Sequence, residues 1–293
     1  MLNIAEAMLA DPSYFKTLAV KDSLLVNYNC PQIEEWADLY TNLNHIIYTI
    51  RGERKIVRPE KSVVLKKGSL IFLRKSAFQQ GKFYDEDWQV IVFAIHDSYL
   101  KSFINEFRSH LPPQNSIGYS RKDVLFEINT NDTLDAYFYS LLPYFTQQPP
   151  PKETLIQLKL RELIFNILFN DANSGLLSFL NNLLNDRKSA FIQNMESNYM
   201  FNLSLNEFAK LTYHSLTSFK KEFTEIFMTS PGKWLIQKRL DLACDFLNTS
   251  EKTVREIAAE SGFESVTHFN RVFKEKHGMS PLRYKHRLTS DNP

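Results

Sequence analysis

The chain has 293 residues, enough for two domains with real cores, and its 43% hydrophobic and 13% aromatic content excludes a disordered polypeptide. A formal net charge of +2 excludes a molecule that is basic all over, so a nucleic-acid partner would need a local cluster of charge. Cys30 and Cys244 give no disulfide framework, no apolar run reaches the ~18–20 residues of a membrane span, and the acidic opening MLNIAEAMLADPSYFK lacks the order of a signal peptide, so a cytoplasmic protein is expected.

From Leu24 to His96 the pattern is strand-like. LLVNYNC, HIIYTIRGERKIVR, SVVLKKGSLIFLRK and WQVIVFAI are rich in Val, Ile, Tyr and Phe, and are parted by Arg51-Gly52-Glu53, Lys67-Gly68-Ser69 and the polar patch Gln79 to Asp87. Short strands at this spacing predict a small antiparallel barrel or sandwich. Trp36, His45, Tyr48, Phe72, Trp88 and Phe93 either line an effector pocket inside it or fill its core. Arg51, Arg54, Lys55, Arg58, Lys61, Lys66, Lys67, Arg74 and Lys75 make this stretch locally basic; they are solvated faces and turns, or a surface for an anionic ligand or acidic partner.

After Asp97 the period becomes helical. SYLKSFINEFRSHL is one amphipathic helix, ended by Pro112-Pro113, and a second runs from about Asp132 to Phe145. Beyond Pro149-Pro150-Pro151, TLIQLKLRELIFNILFN is the most apolar helix, with a stripe of Ile156, Leu160, Leu163 and Ile167 widened by Leu155, Ile164 and Leu168. That girth must be covered, either by the strands or by a second copy at a dimer interface. Ser174-Gly175 precedes a further helix from Leu176 to Leu184, Asp186-Arg187-Lys188 is a plausible joint, and Ala190 to Asn198 opens the last domain.

The C-terminal region contains an internal repeat. SLNEFAKLTYHSLTSFKKEFTEIFMTSPGKW, Ser204 to Trp234, is echoed by TVREIAAESGFESVTHFNRVFKEKHGMSPLRY, from Thr253 to Tyr284. Ser204 with Glu207 and Thr253 with Glu256 have capping-box spacing. Ala209 matches Ala258, Phe219 and Phe223 match Phe269 and Phe273, and Ser230-Pro231 matches Ser280-Pro281. Each copy predicts a short helix, a tight turn and a second helix. The second copy turns at Gly262; the first has Thr212-Tyr213-His214 there and is one residue shorter, which leaves its register open by one residue. The helix from Pro231 to Leu247, with Trp234, Leu235, Leu240, Ala243 and Leu247 on its buried side, is the spacer between the copies.

Ala258, Gly262, Phe263, Phe269, Phe273, Gly278, Ser280, Pro281 and Tyr284, with Arg239-Leu240, Ala243 and Leu247 before them, resemble the tandem helix-turn-helix domain of the AraC/XylS family of bacterial transcription regulators. The strand order before them resembles the cupin-like sensing barrel of that family. KLRELIFNILF followed by GLLSFLNNLL resembles its ExsA-type members, whose equivalent helix mediates self-association. The resemblance implies an α+β protein: a cupin-like regulatory barrel over residues 1–110, a helical dimerisation and linker region over 111–185, and an all-α DNA-binding domain with two helix-turn-helix motifs over 186–293.

It also implies a transcription regulator, an activator more than a repressor, whose protomer reads two neighbouring major grooves ~34 Å apart. The base-reading positions transfer to Thr217, Lys220 and Lys221 and to Thr267, Asn270 and Arg271, whose chemistry suits guanine, adenine and the thymine methyl. Phosphate contacts are expected from Lys233, Lys238, Arg239 and Lys274, and from the helix starts at Ser204 and Thr253. The expected partners are double-stranded DNA, a second copy of the chain, RNA polymerase, and either a small-molecule effector or a regulatory protein at the N-terminal domain.

His45, His96, His110, His214, His268, His277 and His286 make no metal-binding pair, the cysteines have no ligand spacing, and no phosphate-cradling glycine loop or nucleophilic triad is present. No cofactor, metal or enzymatic activity is expected.

Overall fold

The strand QVIVFAI, Gln89–Ile95, shows how the N-terminal half is built. Val90, Val92 and Ala94 point to one face, Ile91, Phe93 and Ile95 to the other, and all are buried. Such a strand has to lie within a sheet covered on both sides. A computed structural model describes residues 1–30, 34–82, 87–112, 123–183 and 187–290, in two compact units, Met1–Gln193 and Asn194–Pro293. Pro113 and Asp186, singled out above as a helix breaker and part of a joint, lie outside the described residues.

In the first unit the strands are β1 (Leu2–Asn3), β2 (Phe15–Val20), β3 (Ser23–Asn29), β4 (Trp36–Thr41), β5 (Asn44–Arg51), β6 (Arg54–Val57), β7 (Ser62–Leu65), β8 (Leu70–Leu73), β9 (Ser76–Gly81), β10 (Gln89–Ile95) and β11 (Leu125–Ile128). They form two open sheets, ordered β1-β4-β9-β6-β7 and β11-β8-β5-β10-β3-β2. The barrel-or-sandwich expectation therefore resolves as two sheets with no closed barrel, antiparallel except where β1 runs parallel to β4. Val26, Ile47, Ile71, Val90 and Val92 of the larger sheet share a core with Leu39, Ile56, Leu65 and Phe78 of the smaller. Helix α1 (Ile4–Ala10), capped by Asn3, adds Ile4 and Met8 to it.

The other face of the larger sheet carries the helices α2 (Asp97–Phe107), α3 (Asp132–Leu141), α4 (Glu153–Leu168) and α5 (Ser174–Asn182). Leu25, Ile46, Tyr48, Phe72, Ile91 and Phe93 meet Phe103, Phe138, Leu160, Leu163, Leu177 and Phe179 there. This corrects the dimerisation stripe. Ile156, Leu160, Leu163 and Ile167 are all 1% exposed or less, because the apolar outer face of the sheet takes the richest face of α4 as its cover. The apolar side chains that α4 and its C-terminal end leave in solvent are Leu155, Leu158 and Phe169.

The six candidate pocket residues do not share a cavity. Tyr48, Phe72 and Phe93 pack in the helix-facing core, and Trp88 in the core between the sheets. His45 is buried with Thr41 Oγ1 2.9 Å from its Nε2, and burial pushes its pKa down to about 3, so it stays neutral. Trp36 is 43% exposed and lies over Gly81 at the edge of its sheet, outside the interior assigned to it. The basic run is likewise partly internal: Arg54, Arg58, Arg74 and Lys75 are buried. Lys75 Nζ meets Asp97 Oδ2 at 2.7 Å, Arg74 lies over Phe179, and Arg54 lies over Trp88. The second unit takes up α6 (Arg187–Asn198), which starts before its boundary, and the regular elements among its described residues are all helices.

Candidate nucleic-acid interface

Six helices follow in that second unit: α7 (Leu205–Leu211), α8 (Leu216–Phe227), α9 (Pro231–Thr249), α10 (Val254–Glu260), α11 (Val266–His277) and α12 (Pro281–Ser290). Both capping boxes form. Ser204 and Thr253 accept from the backbone N–H of Glu207 and Glu256, and those carboxylates accept in return from the N–H of the cap residues. The same hydrogen bonds hold the Glu256 carboxyl below its ordinary pKa. At Ser204 and Thr253 the N–H groups of the cap and of the third residue are thus taken, and the carboxylate adds a negative charge beside the helix start expected to meet a phosphate.

The second helices, α8 and α11, are capped by Ser215 and Ser265, each accepting from the N–H three residues on. Ser215 received no role from the sequence, although a serine directly before the apolar-periodic run of α8 is an N-cap signal. The two caps settle the register of the first copy. Tyr213 stands in place of Gly262 and His214 in place of Phe263, since His214 and Phe263 both donate to the carbonyl of the matched alanine, Ala209 or Ala258. The additional residue of the second copy is Glu264, between turn and cap. Lys220 therefore corresponds to Asn270, and Lys221 to Arg271.

Phe219 and Phe223 are buried on α8, and Phe269, Val272 and Phe273 on α11. Thr217, Lys220 and Lys221 are exposed on the opposite side of α8, as are Thr267, Asn270, Arg271 and Lys274 on α11. The structure thus brings each predicted base-reading triplet onto one solvent-facing surface of one helix. Arg271 is not idle there: its Nη1 donates to Glu275 Oε1 at 2.7 Å.

Helix α9 holds the two copies within the unit. Near its start, Trp234 packs against Phe223 and Phe227 of the first copy; further along, Leu240, Ala243 and Leu247 share a core with Phe263, Phe269 and Phe273 of the second. Its 19 residues span about 28 Å. Lys233 is exposed in its first turn. Lys238 pairs with Glu196 at 2.9 Å and lies over the Trp234 ring.

Arg239 is largely engaged within the unit: its Nε donates to the Tyr199 carbonyl at 2.7 Å and its Nη2 to the Phe201 carbonyl at 2.8 Å, so these donors tie down the chain after α6 and are not offered to a phosphate. Burial lowers its pKa to about 10, which leaves it charged. A Cβ on Gly262, at φ +87°, would come within 2.7 Å of the Met200 carbonyl and 2.9 Å of Arg239 Nε. Glycine is needed at this turn for its left-handed φ and for the close approach of the chain after α6.

Among the described residues no group of His, Cys, Asp and Glu is placed to hold a metal ion, and no single helix is long and apolar enough to cross a membrane. The arrangement can present two polar, locally basic helices to a ligand with two grooves.

Residues 44–179 match the family described as the ExsA N-terminal regulatory domain, and residues 208–287 match a helix-turn-helix domain. The virulence regulon transcriptional activator VirF of Yersinia enterocolitica is 25% identical over 252 residues, which are 84% of this chain and 92% of VirF. The helix-turn-helix transcriptional regulator ExsA of Pseudomonas aeruginosa is 24% identical over 272 residues, covering 92% of this chain and 94% of ExsA. The regulatory protein SoxS of Salmonella typhimurium is 31% identical over 86 residues, 29% of this chain and 80% of SoxS. With paired helix-turn-helix motifs behind a sheet-rich regulatory unit, the chain belongs to the AraC family of DNA-binding transcription regulators.

Proposed function

We propose that this regulator is a transcriptional activator working in the cytoplasm, without cofactor or enzymatic step, whose protomer inserts α8 and α11 into successive major grooves. One observation carries this reading: two helices in matched register, each with an exposed polar triplet, are joined by a spacer about 28 Å long. Thr217, Lys220, Lys221, Thr267, Asn270 and Arg271 read bases, and Lys233 and Lys274 meet phosphates, with Lys238 available once it leaves Glu196. Selection of bound duplexes from a random pool should return two short conserved blocks about one helical turn apart. Arg271→Ala should relax selection at one position and cost about 1–3 kcal/mol of operator affinity. Unchanged affinity and sequence preference would remove α11 from base reading.

The chain acts as a homodimer through the outer face of α4. Leu155, Leu158 and Phe169, exposed there, support this placement in preference to the buried stripe. Leu158→Asp should give a soluble monomer in sedimentation, whereas Leu160→Asp with Leu163→Asp should unfold the first unit. The packed positions of Tyr48, Phe72, Trp88 and Phe93 favour control by a regulatory protein over a small molecule held among them. Repeating the DNA selection with cell extract tests that partner, and transcription with purified RNA polymerase tests activation.

A further inference from the structure

Each recognition helix carries, one turn beyond its basic base-reading residue, a glutamate that the reading above leaves unused. On α11, Glu275 is exposed and accepts from Arg271 Nη1 at 2.7 Å; the two side chains are 62% and 60% exposed for Arg271 and Glu275. By the register that the two serine caps establish, its counterpart on α8 is Glu225, also exposed. Thr217, Lys221 and Glu225 therefore form one stripe, and Thr267, Arg271 and Glu275 form its equivalent. An acidic residue in the same place on both DNA-facing surfaces opposes binding to a polyanion.

We propose that Glu275 is a specificity-determining positioning residue. It orients Arg271 towards a base edge and penalises DNA that does not offer the matching base. Among the described residues Glu275 is the acceptor that Arg271 engages, through Nη1, so the edge formed by Nε and Nη2 remains open. That edge has the two parallel donors that guanine O6 and N7 accept. Correct DNA adds two hydrogen bonds to an arginine already held in place. Incorrect DNA offers no acceptors there and brings its phosphates towards a carboxylate, so discrimination gains more than affinity does. Lys221 in the first copy, a point charge without a fork, cannot present such a pair of donors, so the device belongs to α11.

The proposal rests on the reading that Arg271 contacts a base, and its test separates the two. Full-length Glu275→Ala, Glu275→Gln and Arg271→Ala proteins are compared with the parent on the selected operator and on an unrelated duplex, across a salt series. Sequence preference is read by repeating the selection from a random pool. Glu275→Ala should bind the unrelated duplex more tightly, reduce the operator-to-unrelated ratio by about tenfold, and relax the same base position as Arg271→Ala. Glu275→Gln, which keeps an oxygen acceptor but no charge, should tighten non-specific binding while retaining more of the base preference. If Glu275→Ala tightens both duplexes by one factor and leaves the preference intact, the glutamate is only a surface charge and the proposal is overturned while the reading of Arg271 stands. If Arg271→Ala also leaves the preference intact, both fall.

Discussion

The two helix-turn-helix copies reach one geometry by different local chemistry. The second bends at Gly262, φ +87°, and packs the next residue, Phe263, into a core that includes Val272. The first bends at Tyr213, φ 58°, a left-handed position that costs a side-chain-bearing residue energy. Its next residue, His214, lies 2.6 Å from Glu222, which occupies the place of Val272. An apolar pair in one copy is thus a largely buried polar pair in the other, with side chains 7% and 21% exposed for His214 and Glu222. The helices also end differently: Gly278 takes the left-handed cap of α11, while Met228, 84% exposed, takes that of α8. A glycine turn and an apolar pair in one copy are matched in the other by a left-handed tyrosine and a directional polar pair, around equivalent buried phenylalanines.

The sharpest way to break this equivalence is at the turns. Gly262→Ala should cost about 3 kcal/mol or more, since both φ and the Met200 carbonyl oppose a Cβ, and urea unfolding should show it. Tyr213→Gly should stay within about 1 kcal/mol of the parent because it relieves the first copy's strain. A milder test exchanges the core pairs. Glu222→Val takes an acceptor from a largely buried imidazole and should cost about 1–3 kcal/mol. Adding His214→Phe, which completes the second copy's apolar pair, should recover much of that loss. A coupling below about 0.5 kcal/mol in the double-mutant cycle would mean that the two residues do not act as a unit. The smallest effect is expected at the helix ends, where Met228→Gly should raise stability by up to about 1 kcal/mol, because little packing is lost at so exposed a site.

What the sequence made legible was whatever local chemistry writes in short spacings. The capping boxes, the aromatic pairs and the outward triplets all came from residues within a few turns of one another. Two serines resolved the register of the first copy, and the signal of Ser215 was present in its place just before the apolar-periodic run of α8. What the sequence hid depended on distant covering surfaces. The stripe on α4 was correctly seen as needing cover, but only the sheet beneath it decided that the cover is internal. Arg239 looked like any helix cation until the carbonyls of Tyr199 and Phe201 met it. At Ser204 and Thr253 the carboxylate beside each helix start was already legible in the motif, since a capping box brings its own anion.

Helix α9 has one further consequence. Each added residue would turn the second reading head about 100° around the spacer axis relative to the first and lengthen it by about 1.5 Å. A one-residue insertion would therefore point one head away from the duplex when the other is seated. Under the proposed reading, exchange of one exposed side chain alters the target sequence locally, whereas the separation between the two blocks of the target is set by the length of α9.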